Sequence, residues 1–267
     1  IEIGIASGVE DMFSIPMGGF NPDFHPTLAE HEYYIGMGET AENLARKGNI
    51  SRQNQEEFSI ESHQKALNAW GKGNFDNEVT PITNEYNEVI SKDEAPREPD
   101  VEKIKSLDPS FMENGTVTAA TSSPISIGAS SVLITSKEYA KKNNLTIRAT
   151  IKARSIAGVD WRLMGMGPLP ATDKVLKKSK LNLNDIDVIE LNEAFAAQAL
   201  YVIQKGNFNP DKINLNGGSI ALGHPLGCSG TRIITTLINV MEQTQSSRGL
   251  ATMCIGTGQG IATILER

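Results

Sequence analysis

Residues 144–267 alternate between strand-like and helix-like stretches, and that rhythm confines the chain to the α/β class. Residues 146–151 alternate β-branched with other side chains and read as a strand. Residues 170–178 read as a helix opened by Pro170, 187–191 as a strand and 194–205 as a helix. Pro225 falls in the first turn of an amphipathic run reaching Met241, where its missing N–H would be unpaired anyway. Two apolar runs, 250–254 and 261–265, flank a glycine-rich turn and read as a closing hairpin.

The earlier part of the chain is less regular. Residues 1–6 read as a buried strand with no lead-in, which implies sequence upstream and hides any N-terminal targeting signal. Residues 14–22 are turn-rich, 38–47 read as a helix, and Ser51 is the N-cap of a helix through Trp70. Few apolar anchors occur in residues 74–110, so residues 16–115 read as an excursion over a main body. Regular structure resumes with a strand at 132–135 and a helix at 137–142.

Composition excludes several classes. With 39% hydrophobic and 21% charged residues and no long apolar run, neither disorder nor membrane insertion is expected. A net charge of -7 argues against a nucleic-acid partner, although Lys174, Lys177 and Lys178 offer a local contact for a phosphorylated ligand. Two cysteines, Cys228 and Cys254, make no disulfide framework and point to a reducing compartment. They lie far apart, with no histidines at ligand spacing, so no metal site is expected.

Three polar clusters sit at junctions between elements, where open α/β sheets place ligand sites. Asn192-Glu193-Ala194-Phe195 ends a strand and opens a helix, so Asn192 is either a helix N-cap or a group holding water or a substrate oxygen. Residues 216–230 carry five glycines in fifteen positions around His224. His224 is either structural, or a base kept neutral by the helix N-terminus after Pro225. Cys254-Ile255-Gly256 ends an apolar strand, so Cys254 is either a small core hydrophobe or a reactive thiol. The N–H of Gly256 is free of a side chain and could face an oxyanion. Gly256-x-Gly258-x-Gly260 precedes a strand, which excludes a Rossmann cofactor loop. Cys228, with no base or metal partner at spacing, is assigned to packing.

In this order the three clusters resemble the thiolase family, whose signatures Asn-Glu-Ala-Phe, Gly-His-Pro and Cys-x-Gly match residues 192–195, 223–225 and 254–256. Residues 6–12, 38–43, 115–119, 166–171 and 214–218 extend the resemblance over essentially the whole chain. Residues 23–26, 121–123, 164–168 and 254–267 look most like the acyltransferase β subunit of the bacterial fatty-acid oxidation complex. The resemblance implies a layered αβαβα fold of two similar halves, each with a mixed sheet. Residues 1–15 and 116–143 would finish the N-terminal half, 16–115 would form a loop domain over the CoA site, and 144–267 the C-terminal half. It further implies CoA-dependent cleavage of 3-ketoacyl-CoA without a cofactor, a homodimer, a multifunctional α-subunit partner and a cytoplasmic setting.

Carried over by motif, His224 would activate a nucleophilic cysteine, and Cys254 would exchange protons with the leaving enolate and the incoming CoA thiol. Asn192 would hold a water in one oxyanion site and Gly256 N–H would serve the other. Ser155 and Met37 would contact CoA, Ser155 as the family's pantetheine-contacting serine. Neither Cys228 nor Cys254 fits the context of the nucleophile, so these 267 residues alone are expected to be inactive. Ile127-Gly128-Ala129-Ser130 and Gly36-Met37 depart from the usual pattern, which touches the CoA loops. A non-catalytic assembly subunit on the same fold is the alternative, and retention of both His224 and Cys254 argues against it.

Overall fold

The computed structural model describes residues 2–267; Ile1, where the expected opening strand begins, lies outside the described residues. In chain order the elements are β1 (Ile3–Asp11), α1 (Pro26–Glu30), α2 (Met37–Gly48), α3 (Arg52–Gly71), β2 (Ile82–Thr83) and β3 (Val89–Ile90). Then come α4 (Val101–Ser106), β4 (Ile127–Thr135), α5 (Lys137–Lys142), β5 (Thr150–Gly158), α6 (Pro168–Ser179) and β6 (Val188–Leu191). The chain ends with α7 (Ala196–Gly206), α8 (Ser219–Leu222), α9 (Leu226–Gln243), β7 (Arg248–Ile255) and β8 (Gln259–Glu266).

The larger sheet has the order β5-β8-β7-β6. Its β6–β7 pair is parallel and its other pairs are antiparallel, so the sheet is mixed. Side chains alternate across a strand, and successive residues of β7 therefore serve opposite faces. Leu250 packs with Ile189, Leu191 and Ile264 against Val175 of α6 and Val202 of α7. Its neighbour Ala251 packs with Val188 and Leu265 against Ile233, Leu237 and Val240 of α9. Each fully buried Leu or Ile here contributes roughly 1.5–3 kcal/mol relative to exposure.

The far side of α9 lies on the β1–β4 ribbon, an antiparallel pair running from Ile3 opposite Thr135 to Asp11 opposite Ile127. Thr231 Oγ1 donates to Ser130 O at 3.3 Å and Gly227 N to Glu10 Oε2 at 3.1 Å. Helix and strand approach so closely that a Cβ on Gly8 would run into the Gly227 carbonyl oxygen. Helices α6 and α7, the sheet, α9 and the ribbon thus stack as consecutive α, β, α and β layers. The thiolase-like αβαβα arrangement expected from sequence has this layering, with α9 shared between two sheets.

Helices α2 and α3 lie over α7 and α8. As expected, Ser51 caps α3, its Oγ accepting from Asn54 N at 3.1 Å. Glu42 of α2 accepts from Thr116 N and Val117 N at 2.7 and 2.8 Å, tying the far end of the excursion to this helix. Residues 74–110, weakly patterned in sequence, carry the β2–β3 hairpin and α4.

Several boundaries differ from the sequence expectation. The strand expected at 146–151 is β5, Thr150–Gly158. Its placement comes from pairing with β8, and only the small Ala153 and Ala157 are buried along it, so no apolar pattern marks it. The ribbon strands reach beyond 1–6 and 132–135 because each residue pairs with the other strand, which carries the Gly and Ser positions along. Helix α7 begins at Ala196 rather than 194, and Pro225 is the N-cap of α9 rather than a residue of its first turn.

Candidate active site

The site forms where the parallel strands β6 and β7 end. Asn192 follows β6 directly, and its N–H donates to Thr252 O of β7 at 3.0 Å, extending the parallel ladder by one bond. It is not a helix cap: the N-cap of α7 is Phe195, with no side-chain bond. Its buried side chain instead faces two partners. Oδ1 accepts from Ser219 Oγ at 2.6 Å, and Nδ2 lies 3.3 Å from His224 Nε2.

His224 sits between Gly223 at φ 99° and Pro225. Its other ring nitrogen, Nδ1, is 2.6 Å from Ser229 Oγ, and Ser229 also donates to Pro225 O at 2.9 Å. Burial, and then the charge of Arg232, lower the imidazole pKa to about 4. The ring is therefore neutral near pH 7 and able to take up a proton. The direction agrees with the sequence reading, but the main cause is desolvation rather than the helix dipole.

Cys254 lies two residues beyond Thr252 and is buried among Ala41, Ala45, Val117, Met164, Ala194 and Phe195, with Met37 packed against this group. Burial pushes its thiol up to about 12, so it rests protonated. A neutral imidazole with one free ring nitrogen and a protonated thiol thus stand at opposite ends of the acid–base range. Cys228 is buried in α9 and its thiol is also raised by burial, in keeping with packing.

Gly256 is exposed in the β7–β8 turn, and its N–H makes no hydrogen bond among the described residues. A Cβ there would meet only Met37 Sδ, at 3.8 Å. Asn192, His224, Cys254, Gly256 and Met37 thus belong to one end of the sheet. Ser155 does not join them: its Oγ donates to Ala171 O of α6 at 2.6 Å, from the middle of β5. Lys174 and Lys178 likewise donate to the β5 carbonyls of Ile156 and Arg154, at 3.2 and 3.3 Å.

Buried polar side chains that the sequence pattern does not single out support these groups. Glu193, inside the Asn-Glu-Ala-Phe cluster, is buried and accepts from Ser62 Oγ and Asn214 Nδ2, both at 2.7 Å, and from Ile220 N at 3.2 Å. It braces the loop carrying Ser219. Arg232 Nη2 donates to Ser219 Oγ at 2.7 Å, and Nη1 stands 3.9 Å from Glu190 Oε2 on β6. Ser219 and Ser229 lie within the glycine-rich stretch around His224, and that proximity was the one available signal. No cluster of His, Cys, Asp or Glu suited to a metal occurs among the described residues, nor any helix long and apolar enough to cross a membrane.

A mixed α/β sheet whose strand ends gather an imidazole, a thiol and amide donors holds the kinds of group that acyl transfer uses. The chain belongs to the thiolase family of acyltransferases. Residues 1–138 match the thiolase N-terminal domain and 145–267 the thiolase C-terminal domain. It is 50% identical to the 3-ketoacyl-CoA thiolase of Vibrio cholerae over 282 aligned residues, covering 100% of this chain and 71% of that one. The dimeric peroxisomal thiolase of Saccharomyces cerevisiae superposes with a TM-score of 0.93 at 38% identity, covering 100% of this chain and 70% of that one. Human mitochondrial 3-ketoacyl-CoA thiolase in complex with CoA gives 0.91 at 36% identity, covering 99% and 71%.

Proposed function

We propose that the chain supplies the acid–base half of a 3-ketoacyl-CoA thiolase, which cleaves its substrate with CoA to acetyl-CoA and a shortened acyl-CoA in fatty-acid β-oxidation. The observation that carries this reading is the direct Asn192–His224 contact at the end of β6, with Cys254 at the end of the neighbouring strand β7. His224 Nε2 takes the proton of a nucleophilic cysteine as its sulfur attacks the 3-keto carbon. The Cα–Cβ bond then breaks, and Cys254 gives its proton to the enolate carbon of acetyl-CoA. The resulting Cys254 thiolate takes the proton of the second CoA thiol as that sulfur attacks the acyl-enzyme. Asn192 Nδ2 holds a water that, with His224, serves one oxyanion, Gly256 N–H serves the other, and Met37 lines the approach to Gly256.

The 267 residues hold no third thiol, so by this reading they do not turn over substrate alone. Homodimerisation, a multifunctional α subunit and a cytoplasmic setting belong to the same proposal, supported by the likeness to 3-ketoacyl-CoA thiolases. CoA is a substrate here and no cofactor is required. The test is CoA-dependent cleavage of 3-ketoacyl-CoA, followed by mass spectrometry, in this chain alone and in a longer protein that joins it to a nucleophilic cysteine. Turnover is expected only from the longer protein; turnover by the isolated chain, or by neither, overturns the reading.

A further inference from the structure

We propose that Arg232, Ser219 and Ser229 are positioning residues, which hold His224 as the Nδ1–H tautomer and turn the Asn192 amide through one hydrogen-bond chain that can run in only one direction. The tautomer follows from geometry; its use in catalysis rests on the acyltransferase reading above.

The direction is set at the ends. A guanidinium has only donors, so Ser219 Oγ must accept from Arg232 Nη2 at 2.7 Å. Ser219 then has one proton to give, and its remaining neighbour is the Asn192 amide at 2.6 Å. If the amide were turned over, Ser219 would face donors on both sides and its own buried proton would have no acceptor, a costly state in the interior. Oδ1 therefore faces Ser219, and Nδ2–H points at His224 Nε2 across 3.3 Å.

Facing a donor, Nε2 carries no proton. The single proton of the neutral ring is then on Nδ1, which donates to Ser229 Oγ at 2.6 Å. Ser229 passes its own proton to Pro225 O at 2.9 Å, and a carbonyl can only accept. Every link from Arg232 to Pro225 points the same way, and reversal would oppose two donors at one end and two acceptors at the other. Glu190, two residues before Asn192 on β6, stands 3.9 Å from Arg232 Nη1, so the guanidinium lies beside the strand that leads into Asn192. Nε2 is thus the unprotonated ring nitrogen, and it faces the Asn192 side of the site.

Long-range 1H–15N correlation spectra of the 15N-labelled 267-residue protein read the tautomer directly. The His224 signals are assigned by their loss in His224→Gln. The expected wild-type pattern at pH 7 is a pyrrole-type Nδ1 and an imine-type Nε2. Ser229→Ala should lose that preference and move both nitrogens toward averaged shifts. Ser219→Ala should shift the Asn192 side-chain amide protons and speed their exchange, while Arg232→Lys, which keeps a donor, should move them less. An Nε2–H tautomer in the wild type overturns the proposal, as does an unchanged pattern in Ser229→Ala with an unchanged amide in Ser219→Ala. Should either alanine variant fail to fold, the wild-type pattern decides. None of these signals requires turnover: a protein that shows the Nδ1–H pattern but cleaves no 3-ketoacyl-CoA would refute the functional reading alone.

Discussion

Asn192 Nδ2 lies 3.3 Å from His224 Nε2, although the two residues stand 32 positions apart and leave different elements. The amide thus donates toward the base instead of capping α7. In a protein that joins this chain to a nucleophilic cysteine, Asn192→Ala is expected to lower kcat by about 10²–10³, the usual effect of losing one oxyanion donor. A loss below tenfold with the fold intact would remove Asn192 from the oxyanion site.

Burial raises the Cys254 thiol to about 12, so the thiolate is scarce at moderate pH. At pH 8 its alkylation by iodoacetamide should run roughly a thousandfold slower than that of an unstructured cysteine, because only the thiolate reacts. Peptide mapping by mass spectrometry separates Cys254 from Cys228. Modification at the unstructured rate in folded protein would contradict the protonated resting state.

His63 reports on stability away from the site. Burial, and then the Arg97 charge, lower its pKa to about 4, against roughly 6.5 in the unfolded chain. As pH falls from 6.5 to 4 the unfolded chain takes up the proton first, so this group's contribution to stability is present above 6.5 and lost by about 4. His63→Gln should show a smaller drop in urea midpoint between pH 7 and 4 than the wild type. Equal drops would show that His63 titrates normally in the folded state.

Glu190 acts with the opposite sign. Burial holds its folded pKa up to about 8, so its contribution is present below about 4.5 and lost as pH rises through 8. Glu78, raised to about 7 mainly by burial, adds in the same sense. Glu190→Gln should therefore lose less stability than the wild type between pH 5 and 8.5, measured as thermal midpoints. A steeper loss in the variant would mean that Glu190 is ionised in the folded protein.

Leu250 is fully buried between the sheet and the α6–α7 layer. Leu250→Ala should cost about 2–5 kcal/mol in urea unfolding by removing contacts and leaving a cavity. A cost under 1 kcal/mol would mean that this core layer relaxes around the gap.

Much of this was legible in the residues themselves. Gly38 to Lys47, the Ser51 cap and the 250–265 hairpin follow from local periodicity and turn chemistry, which act over a few residues. The order of the Asn192, His224 and Cys254 clusters likewise carries the family signature in the sequence itself. What local pattern could not reach were properties that depend on distant partners. The path of β5 is set by β8, whose backbone supplies its hydrogen bonds. The Ser155 hydroxyl turned to a helix carbonyl that the sequence places sixteen residues away. Sequence by itself determined which chemical groups the site contains. Only the tertiary structure decided their protonation and orientation, because burial and the direction of a hydrogen-bond chain from Arg232 to Pro225 exist only once separate elements have packed together.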